Sequence, residues 1–179
     1  YIDLYLLHWR GSIPLHDTVT AMGKLQQSGK IRRWGVSNLD TDDMQALWNI
    51  PGGNACMTNQ VLYHAAVRGI EFDLLPWCEE HSVPVMAYCP LAQAGKLRHD
   101  VLTAPVMQEI ANARGVSSAQ IALAWVTRTG NVIAIPKAVQ PQHVKDNAAA
   151  LTLSLTADEI ARIDTVFPAP NHKTPLDMV

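Results

Sequence analysis

Five apolar runs that have the length of β-strands recur along the chain. They are residues 1–8 (YIDLYLLH), 31–37 (IRRWGVS), 57–63 (MTNQVLY), 83–90 (VPVMAYCP) and 131–137 (NVIAIPK). Short apolar runs rich in branched and aromatic side chains are typical of strands buried inside a sheet. The pattern therefore predicts five strands, each separated from the next by a longer polar and apolar mixture.

The segments between these runs have helical periodicity. Leu15, Val19, Met22 and Leu25 fall on one face of a predicted helix, and Gly29 stands where a left-handed C-terminal cap belongs. Further start and stop signals are Asp40 or Thr41 as an N-cap, Pro76 in a first turn, Pro105 with Gly115, and the capping boxes Ser117 with Gln120 and Thr156 with Glu159. Alternating strands and helices predict a parallel sheet with right-handed crossovers. Two α/β architectures fit this pattern, an open doubly wound sheet and part of an eight-stranded barrel.

Composition narrows the class of protein. The chain has 179 residues, 48% of them hydrophobic and 17% charged, with a net charge of −2, which predicts one globular domain over residues 1–179. There is no basic excess to attract nucleic acid or acidic lipid, no long apolar run and no visible export signal, so we expect a cytoplasmic protein. Cys56, Cys78 and Cys89 match no zinc pattern and are expected to be reduced thiols, so no metal site is predicted.

Polar and aromatic residues stand at or near the end of each predicted strand. His8-Trp9, Ser37-Asn38, Asn59-Gln60, Tyr88-Cys89-Pro90-Leu91 and Pro136-Lys137 occupy these positions. Taken singly, each has an ordinary explanation as a loop, cap or core residue. The carboxyl ends of parallel strands share one edge of the sheet, however, so these side chains are expected to lie together around one binding site at that edge.

The chemistry of these residues suggests a ligand. Asn and Gln side chains can pair with an amide in both directions, a tyrosine ring can stack on a flat heterocycle, and a lysine near a helix N-terminus suits a phosphate. A nicotinamide dinucleotide combines these groups. No G-x-G-x-x-G and no G-x-x-x-x-G-K-[ST] follows any strand, so a nicotinamide cofactor would be bound here without the Rossmann fingerprint, which narrows the field of families.

These motifs resemble the aldo-keto reductase family. The run YIDLYLLHW is similar to its fourth barrel strand with the catalytic histidine, GKIRRWGVSN to the fifth, TNQVLYH to the sixth, MAYCPLAQ to the seventh and VIAIPKAVQPQHVKDN to the eighth with its following helix. The likeness runs from residue 1 to about 167. Within the family, LLHWRG and KTPLDMV look most like the bacterial branch that reduces methylglyoxal and similar small carbonyls.

The resemblance implies a (β/α)8 barrel that binds NADPH and reduces aldehydes and ketones to alcohols. His8 would orient and polarise the substrate carbonyl, and Trp9 would line the substrate pocket. The cofactor-binding residues implied are Ser37, Asn38 and Gln60 at the carboxamide, Tyr88 against the nicotinamide ring, Cys89, Pro90, Leu91 and Gln93 at the pyrophosphate, Pro136 and Lys137 near the 2′-phosphate, and His143, Asp146 and Asn147 toward the adenine.

The chain departs from the family pattern in three ways. His143 stands where members that prefer NADPH commonly carry arginine, so NADH is an alternative cofactor. Cys89 stands where serine is common. The family's catalytic Asp, Tyr and Lys motifs have no counterpart here, which predicts that roughly three preceding βα units are missing and that this chain alone is inactive.

Two alternatives to a reductase follow from the residues. One is a non-catalytic dinucleotide-binding half-barrel, and the other is an open flavodoxin-like sheet that binds a phosphorylated ligand. The parent protein is expected to be a monomer with a small-molecule substrate, whereas the isolated chain, with open sheet edges, is expected to self-associate.

Overall fold

The computed structural model describes residues 1–92 and 100–178. Five strands form one parallel sheet, and their bounds are β1 Ile2–Leu7, β2 Ile31–Ser37, β3 Cys56–Leu62, β4 Val85–Tyr88 and β5 Val132–Ala134. The strands lie in the sheet in the order in which they occur along the chain, and every neighbouring pair is parallel. A doubly wound sheet reverses its strand order at a switch point, and this sheet does not. The doubly wound and flavodoxin-like alternatives are therefore wrong.

Helices connect and follow the strands. Their bounds are α1 Leu15–Gln27, α2 Thr41–Trp48, α3 Leu74–Glu80, α4 Pro105–Arg114, α5 Ser118–Val126, α6 Pro141–Ala149 and α7 Ala157–Val166, and short 3₁₀ turns cover Gly53–Ala55, Gly69–Glu71 and Ala150–Thr152. None of the helices in the described ranges combines the length and apolar content needed to cross a bilayer. The tail beyond α7 is irregular, as its prolines predict.

The predicted helix ends are confirmed. Gly29 follows α1 with a φ of +71°, and the Asp40 carboxylate caps α2 by accepting a hydrogen bond from the Thr41 amide at 2.8 Å. Both capping boxes form in full, at the start of α5 and at the start of α7. These signals are reliable because each involves residues no more than a few positions apart.

Prolines shorten two strands relative to the predicted runs. Pro84 and Pro90 flank β4, and Pro136 follows the last ladder hydrogen bond of β5, in which the Ile135 amide donates to the Ala87 carbonyl at 3.1 Å. Proline has no backbone N–H to donate, so a parallel ladder ends where it occurs.

The two faces of the sheet have different environments. One cross-strand row consists of Val36, Asn59, Val85 and Val132, all buried beneath the helices. Successive side chains point to opposite faces, so the adjacent row faces the other way; its members are Ser37, Gln60, Met86 and Ile133. Exposure in this second row increases from Ser37, which is buried, to Ile133, which is 49% exposed. The helix side therefore carries the core, and the opposite face is partly open.

Candidate active site

His8 and Trp9 follow directly after β1, at the carboxyl edge of the sheet. Both are exposed, and their ring centroids are 5.3 Å apart at an angle of 36°. The backbone carbonyl of His8 accepts a 3.4 Å hydrogen bond from the Asn38 side-chain amide. The end of β1 is therefore joined to the end of β2, as the shared-edge prediction requires.

Asn38 adopts a left-handed conformation, with a φ of +58°. Asparagine tolerates this region better than most residues, so the backbone conformation of the turn favours asparagine independently of any contact with a ligand. The backbone N–H of Asn38 and the side-chain hydroxyl of Ser37 both donate to the backbone carbonyl of Gln60, at 2.9 and 2.7 Å. The turn after β2 is thus held against β3.

Tyr88 ends β4 and reaches across the sheet to the same turn. Its hydroxyl donates to Asn38 Oδ1 at 3.1 Å, although β3 lies between the two strands. Gln60 Nε2 lies 3.0 Å from the Met86 sulfur. The structure therefore brings the Ser37, Asn38 and Tyr88 side chains into contact. His8 and Gln60 are joined to them through their backbone carbonyls.

The turn after Tyr88 has two further left-handed residues. Cys89 has a φ of +51° and Ala92 a φ of +59°, on either side of Pro90 and Leu91. Cys89 is half-buried, and burial raises the pKa of its thiol. The predicted site residue Gln93 lies outside the described residues.

A cavity of about 310 Å³ lies between α5, the end of β5 and α6. Its walls are mostly apolar and include Pro136, Ala138 and Val144, together with the amide side chain of Asn147. Lys137 and His143 are exposed, whereas Asp146 accepts a 2.8 Å hydrogen bond from Gln142. Flat heterocycles bind in cavities with apolar walls and a few polar groups, so an adenine ring fits this chemistry. Of the residues predicted for this end, Pro136 and Asn147 line the cavity, while Lys137, His143 and Asp146 do not.

Comparison with known proteins identifies the fold family. The aldo/keto reductase family model matches residues 1–167. The chain belongs to the aldo/keto reductase family. It is 59% identical over 179 residues to the methylglyoxal reductase YeaE of Escherichia coli, covering 100% of this chain and 63% of that protein. It is 33% identical over 166 residues to the glyoxal reductase of Bacillus subtilis, covering 93% of this chain and 57% of that protein.

Solved structures of the family agree closely with the fold. A crystal structure of an aldo/keto reductase from Klebsiella pneumoniae in complex with NADP and acetate superposes with a TM-score of 0.97, at 61% identity, over 100% of this chain and 63% of that chain. A second Klebsiella pneumoniae structure, in complex with NADPH, has the same score and coverage. The chain thus spans somewhat less than two thirds of the length of these relatives.

Several contacts around this family site were not predicted from the sequence. Buried Asn59 donates to the Leu39 carbonyl at 2.7 Å and holds the far side of the Asn38 turn. Arg10 pairs with Asp43 in the first turn of α2, which joins the loop after β1 to that helix. Asn59 belongs to the Asn59-Gln60 pair identified from the sequence. The burial of Asn59 depends on where α2 packs, so the sequence could not predict its contact with Leu39.

The irregular tail is fastened near the same edge. Lys173 Nζ lies 2.6 Å from the Asp73 carboxylate and 3.4 Å from that of Asp40, the N-cap of α2. Its hydrogen bond to Asp73 raises the pKa of Lys173. Thr174 packs closely on Gly69: a Cβ atom added to Gly69 would lie 2.7 Å from the Thr174 hydroxyl oxygen. A proline-rich tail predicted only as irregular therefore has a defined path across the loop after β3.

Proposed function

We propose that residues 1–179 form strands four to eight of a (β/α)8 reductase barrel, with their helices, as one portion of a longer domain. The consecutive order of five parallel strands supports this arrangement, since a barrel of this kind adds its strands in chain order. The coverage of 63% of the E. coli and Klebsiella pneumoniae relatives also supports it.

We further propose that the protein is an NADPH-dependent reductase of small aldehydes and ketones such as methylglyoxal. The observation that carries this proposal is the cluster of Ser37, Asn38, Gln60 and Tyr88 beside His8 at one edge of the sheet. Relatives named methylglyoxal reductase and glyoxal reductase support the substrate class, and NADP and NADPH in the Klebsiella pneumoniae structures support the cofactor.

Each residue of the cluster has a role in this proposal. NADPH supplies the hydride when it is bound. His8 donates a hydrogen bond to the carbonyl oxygen and so stabilises the charge that develops there, and Trp9 limits the space around the substrate. Ser37, Asn38 and Gln60 hold the carboxamide, and the Tyr88 ring supports the nicotinamide plane.

The remaining residues would bind the rest of the cofactor. Cys89, Pro90, Leu91 and Gln93 are assigned to the pyrophosphate, and Asn147 with the Pro136 side of the cavity to the adenine. Exposed Lys137 is assigned to the 2′-phosphate, with His143 and Asp146 nearby in sequence. His143 in place of arginine leaves NADH as a second cofactor, because an imidazole is a weaker phosphate partner than a guanidinium.

The reductase proposal is favoured over the non-catalytic half-barrel because relatives of this chain are named methylglyoxal reductase and glyoxal reductase. We also propose a cytoplasmic location, which is consistent with the bacterial reductases among the relatives. That the parent protein is a monomer stays a prediction. That the 179-residue chain alone is inactive remains a prediction, because the tyrosine that would protonate the alkoxide is assigned to an earlier strand.

The test is NADPH oxidation driven by methylglyoxal, measured by the loss of nicotinamide absorbance. In the longer protein, His8→Ala is expected to lower kcat by about 10²- to 10³-fold, as for other lost donors to a developing oxyanion. His16→Ala, at an exposed histidine on α1, serves as the control and is expected to leave kcat unchanged. Equal kcat for His8→Ala and the wild type would refute the role of His8. Turnover by the 179-residue chain alone would refute the assignment of essential groups to earlier strands.

A further inference from the structure

The Asn38 side-chain amide has one orientation that its surroundings allow. The Ser37 hydroxyl donates its single hydrogen to the Gln60 carbonyl, at 2.7 Å, so it can only accept a hydrogen bond from Asn38. The His8 carbonyl is also an acceptor. Asn38 Nδ2 faces both, at 3.2 Å from Ser37 Oγ and 3.4 Å from the His8 oxygen. The NH₂ group is therefore turned toward β1 and Ser37, which places Oδ1 on the opposite side.

Tyr88 meets Asn38 on that opposite side. Its hydroxyl donates to Oδ1 at 3.1 Å, from a strand that is not adjacent to β2. The ring itself is half-buried at the end of β4. One tyrosine therefore offers two separate surfaces, a ring face and a hydroxyl, and the hydroxyl is directed at the amide of another predicted ligand-binding residue.

We propose that the Tyr88 hydroxyl is a positioning group that holds the Asn38 amide with Oδ1 as the acceptor for a ligand amide N–H. A carbonyl oxygen has two lone pairs, and the hydrogen bond from Tyr88 uses one of them. The inference rests on the proposed function, in which that ligand amide is the carboxamide of NADPH. It assigns Tyr88 a second role beyond ring stacking, one that Phe at this position would lack.

The backbone around Asn38 makes the side chain sensitive to this contact. Two hydrogen bonds fix the left-handed turn. The backbone N–H of Asn38 donates to the Gln60 carbonyl, and the side-chain amide of Asn59 donates to the Leu39 carbonyl. With the backbone fixed, rotation about the side-chain bonds is the freedom that remains. The two hydrogen bonds donated by Nδ2, at 3.2 and 3.4 Å, and the one that Oδ1 accepts from Tyr88, at 3.1 Å, restrict this rotation together. Loss of the Tyr88 hydroxyl is expected to leave the fold intact and to loosen the Oδ1 end of the amide, which then keeps only the two longer hydrogen bonds.

The experiment compares Tyr88→Phe with the wild type by two measurements. The first is the ¹³Cγ chemical shift of Asn38 without ligand, which reports the hydrogen bond that Oδ1 accepts. The second is the Kd for NADPH, from quenching of tryptophan fluorescence. Tyr5→Phe removes an exposed hydroxyl on β1 and is the matched control. Asn38→Gly removes the amide but tolerates the positive φ, and completes a double-mutant cycle with Tyr88→Phe.

The expected result is a shifted Asn38 ¹³Cγ resonance and a two- to tenfold weaker Kd for Tyr88→Phe, the range of one neutral hydrogen bond. Tyr5→Phe is expected to change neither, and Tyr88→Phe is expected to have no further effect in the Asn38→Gly background. An unmoved ¹³Cγ resonance overturns the inference, whether or not NADPH binds. Wild-type affinity in Tyr88→Phe together with weaker binding in Gln60→Ala overturns the inference and leaves the proposed cofactor site standing. If neither Gln60→Ala nor Tyr88→Phe changes the Kd, both proposals fail.

Discussion

His64 is a fully buried histidine two residues beyond the end of β3. Its Nδ1 accepts a 3.3 Å hydrogen bond from the Ala66 amide, so the neutral ring carries its proton on Nε2, which has no hydrogen-bond partner among residues 1–92 and 100–178. Burial disfavours the charged form and lowers the pKa of His64 from its usual value of 6.5 to about 4. The ring is therefore held neutral in the folded protein.

This shift makes stability depend on pH. Between pH 6.5 and 4 the unfolded chain binds a proton at His64 and the folded protein does not, so the stabilisation is complete above pH 6.5 and is lost as the pH falls toward 4. The loss is expected to reach about 3 kcal/mol at the acid end of that window. Urea unfolding as a function of pH measures it. His64→Gln is expected to flatten the curve and exposed His16→Gln to leave it unchanged; a curve unaltered by His64→Gln would contradict the assignment.

At the scale of elements, α7 shows how a local signal sets a helix end. The Thr156 hydroxyl accepts from the Glu159 amide at 3.2 Å, and the Glu159 carboxylate accepts from the Thr156 amide at 2.7 Å. The same carboxylate receives two hydrogen bonds from Arg114 at the end of α4, and these lower the pKa of Glu159 to about 2. One residue thus completes a cap and joins two helices.

Thr156→Ala removes the hydroxyl of this cap. The expected cost is about 1 kcal/mol in the free energy of unfolding, since one N-terminal amide of α7 loses its partner. Chemical denaturation measures this cost. Ser154→Ala, at an exposed position just before the helix, is the control and is expected to change stability by less than about 0.5 kcal/mol. Equal stabilities for the two variants would show that the box does not contribute.

Sequence separation decides which of these features could be predicted. The helix caps at Gly29, Ser117 and Thr156 could be predicted because each involves only residues within a few positions of one another. Buried Arg68 was not, because it donates to the Asp164 carboxylate 96 residues away, at 2.8 Å, and to the Phe167 carbonyl 99 residues away. The candidate site falls between these cases: the residue types at the strand ends were predicted, whereas the orientation of the Asn38 amide depends on His8, 30 positions earlier, and on Tyr88, 50 positions later.

At the scale of the whole molecule, the sheet has one covered face and one partly open face. Strands β1 and β5 are its edges, and Ile2 on β1 and Ile133 on β5 are 48% and 49% exposed. Edge strands with exposed apolar side chains pair readily with other chains. We therefore expect the 179-residue chain by itself to self-associate.

Ile133→Glu tests this expectation by placing a charge on the β5 edge. The weight-average mass of the wild-type chain, measured by sedimentation, is expected to increase with concentration, and Ile133→Glu is expected to shift that increase to higher concentration. Val139→Glu, at an 80% exposed site outside the sheet, adds the same charge and is expected to have no effect. A wild-type chain that remains monomeric at all concentrations would contradict the prediction.

The order of the strands has a consequence for synthesis on the ribosome. Each strand pairs with the strand made just before it, after an interval of roughly 25 to 50 residues. At about 5–20 residues per second, each new strand emerges within several seconds of its partner. Among the described residues, each of β2 to β5 finds its preceding neighbour without waiting for a distant segment, so this sheet can grow one strand at a time while translation continues. The helices that cover each strand arrive on the same schedule, which shortens the exposure of nascent apolar surface to the cell.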